Sequence, residues 1–139
     1  NFAAEKDPEE ALRMVERIRD QNTYDNTLGS IVAVLAGKNP DMAADIIGKM
    51  QRGPARDMCC QNFAYAICGS SPETAMQWAE EIDDDNMREG VIPGIASNWM
   101  HKSQDGFAKW FRSAELPDRV RKQIQRIYDN FIKQRRPQQ

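Results

Sequence analysis

The chain has 139 residues, 40% of them hydrophobic and 29% charged, with a formal net charge of −2. That length suits one domain burying roughly 70% of the surface its unfolded chain exposes, so no disulfide or metal staple is required. The composition is not that of a disordered segment, and no apolar run approaches the ~20 residues that cross a bilayer.

The charge is uneven. Residues 103–139 hold nine Lys/Arg against four acids, a balance of +5, which leaves −7 on the rest. The chain starts at Asn1, as a processed chain or an excised segment would. Cys59 and Cys60 are neighbours, and Cys68 would lie ~13 Å along a helix from Cys59. Neither spacing suits a disulfide, so buried reduced thiols are expected, a weak pointer to a reducing compartment.

Helical signals open at Asp7-Pro8, an N-cap residue followed by proline at the first helical position, with Glu9 near the positive end of the dipole. Ala11, Leu12, Met14, Val15 and Ile18 follow at the spacing of one helix face and predict a helix over about 8–19. Asp20-Gln21-Asn22 reads as a turn. Leu28, Ile31, Val32, Leu35 and Ala36 then predict a second helix over about 24–37, closed by Gly37 as a C′ glycine. Asn39-Pro40-Asp41 restarts the pattern, with a turn at Gly53-Pro54 and a closing Gly69. Ser71-Pro72-Glu73 opens a third pair, turning at Asp83-Asp84-Asp85-Asn86. Inside its second helix, Pro93-Gly94 predicts a kink or a late start. Ser103-Gln104-Asp105 opens the last pair, which turns at Leu116-Pro117-Asp118 and runs on in Arg, Lys and Gln.

These starts, at positions 7, 39, 71 and 103, recur with a period of 32. Shifting the chain by 32 aligns Met14, Ile46, Trp78 and Trp110; Val15, Ile47, Ala79 and Phe111; Ile31, Phe63, Ile95 and Ile127; and Leu35, Ile67, Trp99 and Phe131. Ten such positions are apolar in all four copies. Chance, at the composition of this chain, would supply about one, so a repeat is expected. One hairpin cannot bury both of its apolar stripes, so neighbours must stack and share a core. The expected fold is all-α: a single repeat domain of four helical hairpins, about eight helices, with units near 7–38, 39–70, 71–102 and 103–135. The fourth unit has the polar outer face of a C-terminal cap.

The segment SPETAMQWAEEI (71–82) resembles a degenerate bacterial repeat of the form DPE-x-A-x-x-W-A, and residues 7–135 resemble tetratricopeptide-like and HEAT-like αα-hairpin families. The period is slightly shorter than that of tetratricopeptide repeats, and the unit lacks their Gly and aromatic in the first helix. The resemblance implies a right-handed α-solenoid acting as an interaction scaffold, and no binding residues come with it.

The residues offer little chemistry. The sole histidine, His101, falls near a helix C-terminus, where a cation compensates the dipole. No zinc spacing occurs, and the run at 83–86 has Arg88 and Gly94 where a calcium loop needs glycine and glutamate, so it reads as a solvated turn. The glycines form no phosphate cradle, and Glu80 and Glu81 are adjacent rather than convergent. Trp78, Trp99 and Trp110 share columns with aliphatic residues and read as core. The basic fourth unit has no interleaved stacking aromatics, which disfavours nucleic acid. No catalytic residue, metal or cofactor is expected.

Repeat scaffolds bind along variable positions on one helix of each hairpin. On the second helices these include Asn62, Tyr65, Asn98 and Arg126, which become the candidate partner-binding residues. The expected function is a non-catalytic scaffold for a protein or peptide partner. The alternative is a structural unit that self-associates through the basic fourth repeat and the acidic body.

Overall fold

The computed structural model describes residues 8–135. The cap expected at Asp7 and the charge of Arg136 lie outside the described residues, as does the side chain of Ala11. Eight helices follow in order: α1 (Pro8–Val15), α2 (Gln21–Lys38), α3 (Pro40–Lys49), α4 (Pro54–Ile67), α5 (Pro72–Glu80), α6 (Asp85–Lys102), α7 (Gln104–Ser113) and α8 (Asp118–Arg135). No strand occurs among the described residues. The chain is all-α, as its helical apolar spacing requires, and the four shorter helices start at residues 8, 40, 72 and 104.

Capping chemistry moves several ends from where the sequence places them. The first helix stops at Val15, short of residue 19, because the chain tightens: Arg17 and Ile18 donate to the carbonyls three residues back, Met14 and Val15. α2 begins at Gln21 rather than near 24. Asp20 is its N-cap, accepting the Thr23 backbone N–H at 2.8 Å and the Thr23 hydroxyl at 2.8 Å.

Gly37 lies inside α2 and is no C′ glycine. Asn39 both ends α2 and starts α3: its N–H donates to Leu35 O at 2.7 Å, and its side-chain oxygen accepts the Met42 N–H at 3.2 Å. Gly69 is likewise not left-handed. The only positive φ among the described residues is at Gly53, φ 155 and ψ −175, a region open only to glycine, where the chain turns into Pro54 at the head of α4. Ser71 makes no side-chain cap, whereas Ser103 accepts the Gly106 N–H at 3.2 Å. α6 runs from Asp85 through Pro93 to Lys102, so the late start expected there does not occur. Asp84 fixes its beginning by accepting the Met87 N–H at 2.7 Å, and Pro93, buried inside the helix, takes one N–H donor from its ladder.

α1 packs on α2, α3 on α4 and α5 on α6, while α2, α4 and α6 each also pack on the short helix that follows. The long helices form a row: α2 against α4, α4 against α6, α6 against α8. Every substantial contact joins helices one or two places apart in the chain. Ile31, Val32 and Leu35 from α2, Phe63 and Ala64 from α4, Ile95 and Trp99 from α6, and Ile124 and Phe131 from α8 are buried along that row. The short helices wedge in Ile47, Ala75, Met76, Phe107 and Phe111. Trp99 is buried while Trp78 and Trp110 are half-buried; Trp78 meets Phe63 edge-on at 5.3 Å, and Trp110 lies 5.7 Å from Trp99.

Candidate functional site

The long helices are anchored at their starts by charged side chains, and this decides which polar groups are left to face outward. Arg56 in the first turn of α4 is only 6% exposed; its Nε donates to Ile47 O near the end of α3 at 3.3 Å, and its guanidinium lies 3.7 Å from the Glu81 carboxylate. Arg88, 32 residues further on, donates to Ile82 O at 2.8 Å and Asp83 O at 3.2 Å, past the end of α5. Arg121 donates to the Phe111 and Ala114 carbonyls around the end of α7, with its guanidinium 4.8 Å from the Phe111 ring centroid. Three times, then, an arginine near the start of a long helix donates to carbonyls in the last turn of the preceding short helix or just beyond it. The 32-residue spacing of Arg56 and Arg88 is the signal from which sequence reasoning could have found it.

Asp57, 3% exposed, reaches forward instead, accepting the Asp83 N–H at 2.9 Å and the Asp84 N–H at 3.1 Å. Arg52 grips the Asp83 carboxylate with two bonds of 2.8 Å, which hold that carboxyl below its ordinary 3.8. Asp85 pairs with Arg88. The acidic run at 83–86 is solvent-exposed, as expected of a solvated segment, but Asp83, Asp84 and Asp85 each also have a partner.

With charges spent at the helix starts, the outer faces of three long helices are nearly neutral. On α4 the exposed residues are Pro54, Met58, Asn62, Tyr65 and Ala66, none charged. On α2 the only exposed charge is Lys38, its last residue, and on α6 Asp85 and Lys102 stand at the two ends. The short helices differ, exposing Asp41, Asp45 and Lys49 on α3 and Lys109 and Arg112 on α7. Met58 at 47% and Tyr65 at 45% are among the most exposed large apolar side chains described.

Three of the four candidate residues belong to this neutral face. Asn62 and Tyr65 sit one helical turn apart on α4, both exposed. Tyr65 lies over α6 at Gly94, where an added Cβ would be 3.4 Å from its Cε1 and 3.5 Å from its hydroxyl. Asn98, exposed on α6, donates to Gly94 O at 3.2 Å. Tyr65 and Asn98 therefore converge on Gly94, with the Asn98 side-chain oxygen and second N–H left to face out. Arg126 stands apart on α8, exposed, with no hydrogen bond, ion pair or ring contact to these three. Sequence columns located these residues but did not show that the face between them carries no charge.

The remaining reactive groups are committed elsewhere. Burial pushes the Cys59 and Cys60 thiols up to about 11, and Asp25 adds to the effect at Cys59. Cys68 is also buried, its thiol 3.2 Å from Tyr65 O, and all three cysteines are free. His101 has Nδ1 2.8 Å from Ser97 O and lies edge-on to Phe131. Among the described residues no His/Cys/Asp/Glu group is placed to hold a metal ion, and no helix is long and apolar enough to cross a membrane. A cleft of about 910 Å³ opens between α1, α2, α3 and the start of α4.

Comparison with protein-family models, curated proteins and solved structures returns no match to the chain.

Proposed function

We propose that the chain is a non-catalytic α-solenoid of helical hairpins, related in kind to tetratricopeptide-like repeats, that binds an extended peptide segment of a partner protein across α4 and α6. The observation that carries this reading is the neutral outer face of α2, α4 and α6, with Tyr65 laid over Gly94 between Asn62 and Asn98. An aromatic ring offers large contact area at small entropic cost, and amides offer donors and acceptors for a peptide backbone. Gly94, with no Cβ, lets the Tyr65 ring lie close against α6 and so sets where the aromatic contact is offered. Contacts between near neighbours alone agree with a repeat scaffold.

The test is selection of peptides from a random display library on the immobilised chain, followed by affinity measurement on a variant with alanine at Asn62, Tyr65 and Asn98. The expected result is a family of weakly charged peptides whose binding falls at least about tenfold in the triple variant, as loss of an aromatic anchor would give. Unchanged affinity in a variant that still melts normally would remove the proposal.

Charge-driven self-assembly is the second reading. α8 exposes Lys122, Arg126 and Lys133, while α3 and α5 expose Asp41, Asp45 and Glu73. Sedimentation at low and high salt separates the two, because exposed ion pairs weaken as the Debye length falls. Oligomers that dissociate in salt favour assembly, and a monomer at both favours the peptide scaffold.

A further inference from the structure

We propose that the cleft between the first two hairpins is a second binding site, one that takes a peptide segment carrying arginine or lysine among apolar residues. The case rests on how the three inter-hairpin joints differ. At the second joint Asp57 binds the Asp83 and Asp84 N–H groups, and Arg52 clamps Asp83. At the third, Glu89, one repeat beyond Asp57, accepts from Arg119 of α8 at 2.7 Å. Asp25, one repeat before Asp57, has the corresponding place at the first joint and makes no such link. Its partner is Gln21 on its own helix, at 2.8 Å. The groups equivalent to the Asp83 and Asp84 backbone belong to Gln51 and Arg52, which line the opposite wall of the cleft.

Where this joint lacks the polar link, a space of about 910 Å³ opens, within the range of sites that hold drug-sized ligands. Its floor includes Leu12, Leu28, Ile46 and Met50, and Glu16, Asp25 and Asp45 bring carboxylates to it. Two cations line it, Lys49 and Arg52, but Arg52 is already paired with Asp83 through Nε and Nη2. Glu16, Asp45 and Lys49 form no ion pair among the described residues. Three carboxylates facing one uncommitted ammonium, over an apolar floor, complement a basic side chain with an aliphatic stem and apolar neighbours. The site is separate from the α4–α6 face and stands without it.

The test is a titration of the ¹⁵N-labelled chain with the peptide acetyl-Leu-Arg-Leu-Lys-Leu-Arg-amide and with its counterpart bearing glutamate at each basic position. Amide shifts are expected within residues 12–28 and 42–55 for the basic peptide alone, and binding should weaken as salt is added. The double variant Asp25→Asn/Asp45→Asn should bind about fivefold more weakly, the scale of two exposed charge pairs. Asp41→Asn, on α3 but outside the cleft, should bind normally. Should the double variant melt early, Glu16→Gln supplies the same reading from α1's side of the cleft. Equal binding of the acidic peptide, shifts confined to α4 and α6, or unaltered affinity in both cleft variants would overturn the proposal.

Discussion

Asp57 and Asp83 are joined carboxylate to backbone: the Asp57 side chain accepts the Asp83 N–H at 2.9 Å, and the Asp84 N–H at 3.1 Å, across 26 and 27 residues of chain. A buried acid in one hairpin thereby fixes the entry of the next long helix, and Arg52 returns the link by holding the Asp83 side chain. The joint is a reciprocal polar clamp set against an apolar row.

Removing the acceptor should be costly. Asp57→Ala leaves two backbone donors without their partner and is expected to lower stability by about 2–3 kcal/mol. Asp57→Asn retains one carbonyl acceptor and should fall between. Urea denaturation of the three chains measures this. A loss for the alanine variant below about 0.5 kcal/mol, the low end for a single hydrogen bond, would show that water replaces the carboxylate freely.

The Arg52–Asp83 pair gives a pH dependence of known sign. The Arg52 hydrogen bonds depress the Asp83 folded-state value below its ordinary 3.8. A depressed carboxyl stabilises the fold fully above that ordinary value and loses the contribution as pH falls through the lower folded value. Arg52→Gln should return the Asp83 titration, followed by NMR, toward 3.8. It should leave stability near pH 7 little changed, since the pair is exposed. A titration that does not move would mean another group holds Asp83.

The thiols should be inert in the folded chain. With Cys59 and Cys60 pushed up to about 11 from 9.0, the reactive thiolate is about a hundredfold scarcer than for a free cysteine at the same pH. Iodoacetamide at pH 8 should label both rapidly in denaturant and very slowly without it. Fast native labelling would show that α4 opens locally.

Burial should grade along the row of long helices. Ile95 is fully buried on α6, whereas Ile127, in the same column on α8, is only half-buried. Ile95→Ala is expected to cost about 2–4 kcal/mol and Ile127→Ala less than half as much. Equal losses, read from thermal or urea unfolding, would mean that α8 is covered by another surface in solution.

Glu89 and Arg119 link α6 to α8 through a carboxylate that is 14% exposed and a guanidinium that is 73% exposed. A double-mutant cycle with Glu89→Gln and Arg119→Met should give a coupling of about 0.5–1 kcal/mol that shrinks in added salt. A coupling near zero would leave apolar packing alone to hold the last joint.

How much of this was legible in the sequence follows from the range of each interaction. The eight helices and their apolar stripes are legible, because a stripe is a local period and the Asn39 cap acts three places away; Asp20 and Asp84, which read as turn residues, prove to be caps as well. Helix ends are less legible. Gly37 looked like a stop, yet Asn39 can end one helix and begin the next, a double use that residue type does not announce. Asn62, Tyr65 and Asn98 could be picked from columns, but their convergence on Gly94, and the distance of Arg126 from them, required the α4–α6 packing.

The sequence by itself thus determined the helical class, the order of long and short helices and which sides are apolar, since all three depend on spacings within a turn or two. The tertiary structure alone decided which charges are spent. Arg52, Asp57 and Glu89 meet partners 26–31 residues away, and such bonds exist only when helix packing brings donor and acceptor within about 3 Å. The same packing leaves Asp25 unlinked across the first joint. No composition or period distinguishes it from Asp57, because the difference lies in a few ångströms between hairpins.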